Sequence, residues 1–241
     1  MIFALHGNLG SADDWKGCGL EVMGGSLQAV DLWHEVESGL GLEAWAKNFC
    51  ASVQARCGEN EKPWLAGYSL GGRLALHALL EAPDFWGGAA IISANPGLAD
   101  EGERERRRRR DAEWVEQARD GDWEKFLSEW NAQPVFAGNP GTAILERQRA
   151  LQSRRESVAR AFELWSLGQQ ADLSDPLSAC DLPALWVNGG TDRKFVELGA
   201  AMADAMPGGE HLVIEDRGHR LLDEAPSEVG TAIGDFQKRN L

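Results

Sequence analysis

Three residues of this 241-residue chain have the types that together make an activated nucleophile or base: Ser69, Asp192 and His219. Ser69 stands in Gly67-Tyr68-Ser69-Leu70-Gly71, a G-x-S-x-G pattern. A serine on a sharp strand-to-helix turn sits in strained backbone geometry, so the positions two before and two after it must be small. An imidazole such as that of His219 accepts the serine proton, and a carboxylate such as that of Asp192 holds the ring in the useful tautomer and offsets its charge. The chain order Ser, Asp, His is the order expected when the serine follows an early strand of a parallel sheet. Asp216 is a rival acid, three residues from His219 on the same loop.

A G-x-S-x-G pattern recurs by chance in a glycine-rich chain, so the flanking elements carry the argument. Trp64 to Tyr68 reads as a buried strand, and Leu70 to Glu81, with Leu74, Leu76, Ala78, Leu79 and Leu80, reads as a helix. That helix would bring the backbone N–H of Leu70 beside the serine hydroxyl, where an oxyanion forms. Ile2 to Leu5 predicts a first strand that leaves at His6-Gly7-Asn8-Leu9-Gly10, where Asn8 would supply the second oxyanion N–H and His6 would shape the loop. Ser11 and Asp14 have capping-box spacing for a short helix carrying Trp15. Leu27 to Leu32 predicts a strand, Leu42 to Cys57 an amphipathic helix, and Gly88 to Ser93 a buried strand. Ala184 to Asn188, ending at Gly189-Gly190-Thr191-Asp192, predicts the next strand, followed by a helix over Lys194 to Met206. His211 to Ile214 predicts the last strand and Ala225 to Lys238 the last helix. Alternation of this kind calls for a mostly parallel sheet of about six strands covered by helices on both faces.

Between about Asn95 and Gln170 helical patterns follow one another without a strand, which predicts a helical cap over 95–170 inserted into a core of 1–94 and 171–241. The cap holds Trp114, Trp123, Trp130 and Trp165, which read first as packing. It also holds the run Arg104-Glu105-Arg106-Arg107-Arg108-Arg109-Arg110. Two readings compete for these arginines. Glu103 with Arg107 and Glu105 with Arg109 have the favourable i,i+4 order, which makes a self-paired, solvated helix face. Consecutive arginines nevertheless cover every face of a helix, and those looking inward suit a carboxylate ligand.

A hydrophobic content of 43% in 241 residues suits one sizeable core. The formal net charge of -14 argues against nucleic-acid binding and for an acidic cytoplasmic protein. Cys18, Cys50, Cys57 and Cys180 form no C-x-x-C pair, so no metal site is expected, and Cys50 and Cys57 read as buried thiols. There is neither an export signal nor an 18-residue apolar run, so no membrane span is expected. Nothing in the composition selects an oligomeric state.

With these residues in place the sequence resembles the α/β-hydrolase superfamily, and within it the 2-succinyl-6-hydroxy-2,4-cyclohexadiene-1-carboxylate synthase family of menaquinone and phylloquinone biosynthesis. The resemblance is carried by Gly67-Tyr68-Ser69-Leu70-Gly71-Gly72-Arg73, by Asn95-Pro96-Gly97-Leu98 with the Arg-rich helix, by Trp130 with Gln133-Pro134-Val135-Phe136-Ala137, and by Asp192 and His219. It implies an α/β-hydrolase fold and a triad of Ser69, Asp192 and His219 in which the serine acts as a base that removes a ring proton so that pyruvate is eliminated. It implies that Tyr68, Arg73 and Arg107 contact an anionic small-molecule substrate, that Trp130 and Phe136 line its pocket, and that no cofactor is needed. Arg73 has an independent argument, being one helical turn beyond Ser69. The chain departs from the family at Asp31-Leu32-Trp33-His34-Glu35, where a D-x-P-G-H-G-x-S stretch is usual. It also has Asn8 in place of a bulky apolar residue and Asn95 in place of histidine. A further cap arginine of the family falls near Arg149 or Ala150.

Three functions are open to such a chain. The lyase leads. A serine carboxylesterase or thioesterase would use the same triad for acyl transfer to and from Ser69. A binding protein on a hydrolase scaffold comes last, since no member of the triad is missing.

Overall fold

The computed structural model describes every residue except 21–25, 59 and 137–139. Six strands form one parallel sheet in the order β2-β1-β3-β4-β5-β6, with β1 Ile2–Leu5, β2 Leu27–Val30, β3 Trp64–Tyr68, β4 Gly88–Ile92, β5 Ala184–Gly189 and β6 Gly209–Ile214. The four central strands are buried along their whole length, as continuous apolar runs such as Gly-Ala-Ala-Ile-Ile require, whereas the two edge strands are only partly covered. Leu5 pairs in register with Gly67, and Gly67 with Ile91, so three strands end side by side.

The helices are α1 Leu32–Glu35, α2 Leu42–Gln54, α3 Leu70–Glu81, α4 Glu101–Asp120, α5 Trp123–Asn131, α6 Thr142–Ala150, α7 Arg155–Leu164, α8 Ser174–Ser178, α9 Arg193–Ala205, α10 Leu221–Glu224 and α11 Pro226–Arg239. Because side chains alternate across a strand, Phe3, Leu65, Ile91 and Trp186 enter one core with α2, α3 and α9. Ile2, Ala66, Ile92 and Val187 enter the other with α10, α11 and the 3-10 helix Ala12–Cys18. The first core continues without a break into α4, α5 and α7 through Trp114, Phe126, Trp130, Phe162 and Trp165. All four tryptophans of this segment are therefore buried in packing, and Trp130 also presents a face to the cavity over Ser69.

Several sequence expectations need correction. The strand expected over Leu27 to Leu32 stops at Val30, because Asp31 caps α1 through its carboxylate, which accepts the Trp33 N–H at 3.1 Å. The helix expected to reach Cys57 ends at Gln54, and Cys57 lies beyond it half-buried, while Cys50 is buried as expected. Arg107 does not pair with Glu103; it turns forward to Asp111. The Glu105–Arg109 pair does form, at 3.8 Å. Among the described residues no strand lies between β4 and β5, and α4 to α8 occupy that interval.

Candidate active site

The turn from β3 into α3 sets the serine. Ser69 has φ 52° and ψ -108°, a strained conformation for a residue with a Cβ. The turn closes only because its neighbours are glycines. A Cβ on Gly67 would stand 2.4 Å from the carbonyl oxygen of Gly71, and one on Gly71 would stand 2.2 Å from the carbonyl oxygen of Leu5. The strand is tied across the turn by Ser69 N–H donating to the Ile92 carbonyl at 2.9 Å.

Asp192 and His219 reach the same point from the ends of β5 and β6. His219 Nδ1 lies 2.6 Å from Asp192 Oδ2, and His219 Nε2 lies 3.3 Å from Ser69 Oγ. Both partners of the Asp–His pair are more than nine-tenths buried. The imidazole is walled by Phe195 at 4.6 Å and by Tyr68 and Phe136 at 5.7 Å between ring centroids, which keeps water from the pair. Asp216, the rival acid, occupies a left-handed turn (φ 57°) and makes no ion pair with His219 among the described residues.

Two residues expected to offer backbone donors, Leu70 and Asn8, line a cavity with Ser69. Leu70 is the first residue of α3, so its N–H has no intrahelical acceptor. Asn8 follows β1 in the neighbouring loop, and its N–H has no partner among the described backbone hydrogen bonds. His6 holds that loop. Its Nε2 accepts the Leu32 N–H at 3.1 Å, so the proton resides on Nδ1, which donates to the Gly7 carbonyl at 2.9 Å. Burial pushes the His6 ring down to about 4, so it is neutral at pH 7.

A cavity of about 250 Å³ opens over Ser69 and is lined by Asn8, Leu70, Arg73, Arg107, Trp130, Phe136 and His219. All but two of the sequence-derived site residues thus line this cavity. Asp192 lies behind His219. The Tyr68 ring does not line the cavity; it is buried against Gly7, whose added Cβ would meet it at 2.8 Å. Arg149, one candidate for the further cap cation, instead pairs with Glu124 at 2.8 Å on the surface.

The cavity wall carries three cationic side chains, Arg73, Arg107 and Lys194, and no carboxylate among the described residues, in a chain of net charge -14. Arg73 is buried and donates to two neutral oxygens, Gln170 Oε1 at 3.0 Å and the Trp165 carbonyl at 2.7 Å. Burial first, then the nearby Arg107, pushes it down to about 9, so it keeps its charge at pH 7. Arg107 uses Nε for both oxygens of Asp111, at 2.8 and 2.9 Å, which leaves its two terminal nitrogens for the cavity. Asp111 is held in turn by Ser166 Oγ at 2.6 Å. Such a concave, electropositive wall attracts and orients an anion.

Sequence reasoning passed over Lys194, Phe195, Ser93 and Leu167, which also line the cavity. One signal was available for Ser93: it directly follows a buried strand at the same carboxyl edge of the sheet as Ser69, where ligands of open parallel sheets bind. Lys194 stands two residues beyond Asp192 and shares that edge.

The model of the alpha/beta hydrolase family matches residues 2–232. A 2-succinyl-6-hydroxy-2,4-cyclohexadiene-1-carboxylate synthase from Enterobacter sp. (strain 638) is 32% identical over 241 residues, covering 97% of this chain and 89% of the relative. The protein of that name from Salmonella typhimurium is 31% identical over 236 residues, covering 95% and 90%. Among solved structures, MenH from S. aureus superposes with a TM-score of 0.87 at 21% identity, covering 99% of this chain and 93% of that one. A thermophilic esterase from Thermogutta terrifontis, with malate bound, superposes with a TM-score of 0.69 at 21% identity, covering 99% and 89%. The chain therefore belongs to the α/β-hydrolase family and is an enzyme of lyase or hydrolase type.

Proposed function

We propose that this enzyme eliminates pyruvate from 2-succinyl-5-enolpyruvyl-6-hydroxy-3-cyclohexene-1-carboxylate, with Ser69 as the base and the helical segment 95–170 as the cap over the substrate. The observation that carries the reading is the cationic, carboxylate-free wall facing the Ser69–His219 pair, which suits a substrate bearing several carboxylates. The names of its relatives support the same reaction.

In this mechanism Ser69 gives its proton to His219 Nε2 while Asp192 stabilises the imidazolium. The serine oxygen takes the ring proton next to the succinyl ketone. Charge develops on the ketone oxygen, toward which the Asn8 and Leu70 N–H groups are available. The electron pair then moves through the ring double bond and expels the enolpyruvyl oxygen, leaving the diene. The departing enolate takes up a proton and becomes pyruvate. No bond between the Ser69 oxygen and a substrate carbon forms at any step. Arg73 and Arg107 hold carboxylates, and Trp130 and Phe136 pack on the ring.

An esterase is the second reading, favoured by the same Ser69 geometry and its pair of backbone donors, which also suit a tetrahedral acyl intermediate. One experiment separates the two. The purified enzyme is given the enolpyruvyl cyclohexene substrate, with pyruvate followed by a coupled assay, and in parallel a series of p-nitrophenyl esters. Pyruvate release that falls by about a thousandfold or more in Ser69→Ala supports the lyase. Ester turnover without pyruvate release replaces it with the esterase.

A further inference from the structure

We infer that Ser93, with Asn95, is a specificity-determining contact for a carboxylate of the substrate, completing a donor cluster with Arg73 and Arg107. The inference rests on the reading that the cavity takes a carboxylated ligand, and concerns a part of it that the triad and the arginines do not explain.

Ser93 combines three properties that are each costly. It is fully buried, at 0% exposure. Its backbone has φ 46°, in the left-handed region that residues with a Cβ avoid. Its Oγ makes no hydrogen bond to any described protein group, although it lines the cavity. A glycine would relieve the strain and an alanine would remove the unpaired hydroxyl, so the serine is favoured by neither folding nor packing. Strain and an unsatisfied polar atom at one residue in a cavity wall point to a ligand contact.

The neighbourhood identifies the ligand. Asn95, 4% exposed and also in the wall, accepts the Gly97 N–H with its side-chain carbonyl at 2.9 Å, so the end it can offer a ligand is the donor end. Gln170 connects this strand end to the arginine: its Nε2 donates to the Asn95 carbonyl at 3.2 Å, and its Oε1 accepts from Arg73 at 3.0 Å. A hydroxyl, a carboxamide NH₂ and two guanidinium groups therefore share one wall, with no acceptor of matching charge among the described residues. Donors of both neutral and charged type lining one cavity suit a carboxylate, whose two oxygens accept about four hydrogen bonds. Ser93 and Asn95 add direction to a charge that the arginines supply.

The test uses two probes that differ only in the remote charge, 4-oxo-4-phenylbutanoate and 4-oxo-4-phenylbutanamide, with calorimetric Kd values for the wild type, Ser93→Ala and Ser93→Gly. The wild type is expected to prefer the carboxylate. Both variants should weaken the carboxylate by about tenfold and the amide much less, as for loss of a hydrogen bond to a charged group. Ser93→Gly should unfold at no lower temperature than the wild type, so that its loss of affinity is not a folding defect. Carboxylate affinities within twofold of wild type in both variants overturn the inference, and so does an equal loss for both probes. A wild type with no preference for the carboxylate overturns it together with the anionic-substrate reading. Failure of pyruvate release, by contrast, bears on the lyase reading alone and leaves this measurement intact.

Discussion

At the scale of single residues the site depends on which arginine faces the cavity. Of the run Arg106 to Arg110, Arg107 alone lines it, because Asp111, itself held by the Ser166 hydroxyl, accepts from its Nε from behind. Its neighbours are turned to Asp100, Glu101, Glu105, Glu113 and the Gly168 carbonyl. We expect Arg107→Ala to raise KM for the anionic substrate by about ten- to a hundredfold, the worth of one charge-assisted contact of about 1.5–3 kcal/mol. The loss for a neutral p-nitrophenyl ester should be at least tenfold smaller. Arg149→Ala, which removes only an exposed partner of Glu124, should leave the kinetics with both substrates unchanged. Equal losses for both substrates in Arg107→Ala would make that arginine structural. The sequence showed that some arginine of the run could face inward, since five in a row cover the whole helix. It did not show which, because Glu103 and Asp111 stand at the same spacing on either side of Arg107 and only tertiary packing buries Asp111.

At the scale of elements, the strand-to-helix turn was legible down to its residues. A strained serine demands glycine on both sides, and that demand is local. The price is intolerance: in Gly71→Ala the new Cβ would meet the Leu5 carbonyl oxygen at 2.2 Å, backbone against backbone. Helix α3 would have to move away from β1, carrying Ser69 and Leu70 out of line with Asn8. The expected cost is about 3 kcal/mol or more in urea unfolding, above most overpacking substitutions because neither partner is a flexible side chain. Labelling of Ser69 by a fluorophosphonate probe should fall with it. Normal stability with normal labelling would show that the turn tolerates a side chain. Helices α4 to α7 were legible as helical but not in their attachments. Arg154 pairs with Asp31 at 2.6 Å, Arg147 with Asp14 at 3.3 Å and with Asp223, and Arg220 Nη2 donates to Asn131 Oδ1 at 2.6 Å while its guanidinium stacks on Phe136 at 4.2 Å. These contacts join residues up to 133 positions apart, as in Arg147 with Asp14, beyond any periodicity.

Across the whole molecule, two buried histidines tie stability to pH. His6 and His77 are both held down to about 4, chiefly by burial, and His77 also by the charge of Arg73. In the unfolded chain each titrates near 6.5. Between these values the unfolded state binds more protons than the folded state, so stability is full above about pH 6.5 and is lost as pH falls toward 4. Each histidine should remove about 2 kcal/mol by pH 5. Urea unfolding at pH 7.5 and pH 5 should show the loss, and His77→Gln should shrink it by roughly half. An unchanged pH dependence in that variant would mean that His77 is hydrated in solution. The net charge of -14 acts in a different way, setting the contrast that makes one cationic cavity attractive to an anion.

By itself the sequence determined the parallel sheet, the turn that holds Ser69, and the strand ends from which Asp192 and His219 emerge, since hydrophobic period and turn chemistry act over a few residues. Only the tertiary structure decided what faces the cavity. It turned Tyr68 into the core against Gly7, spent Arg149 on Glu124, selected Arg107 through Asp111, and left the strained hydroxyl of Ser93 in the wall. Those outcomes depend on which side chains are buried together, and burial is a property of packed elements distant along the chain.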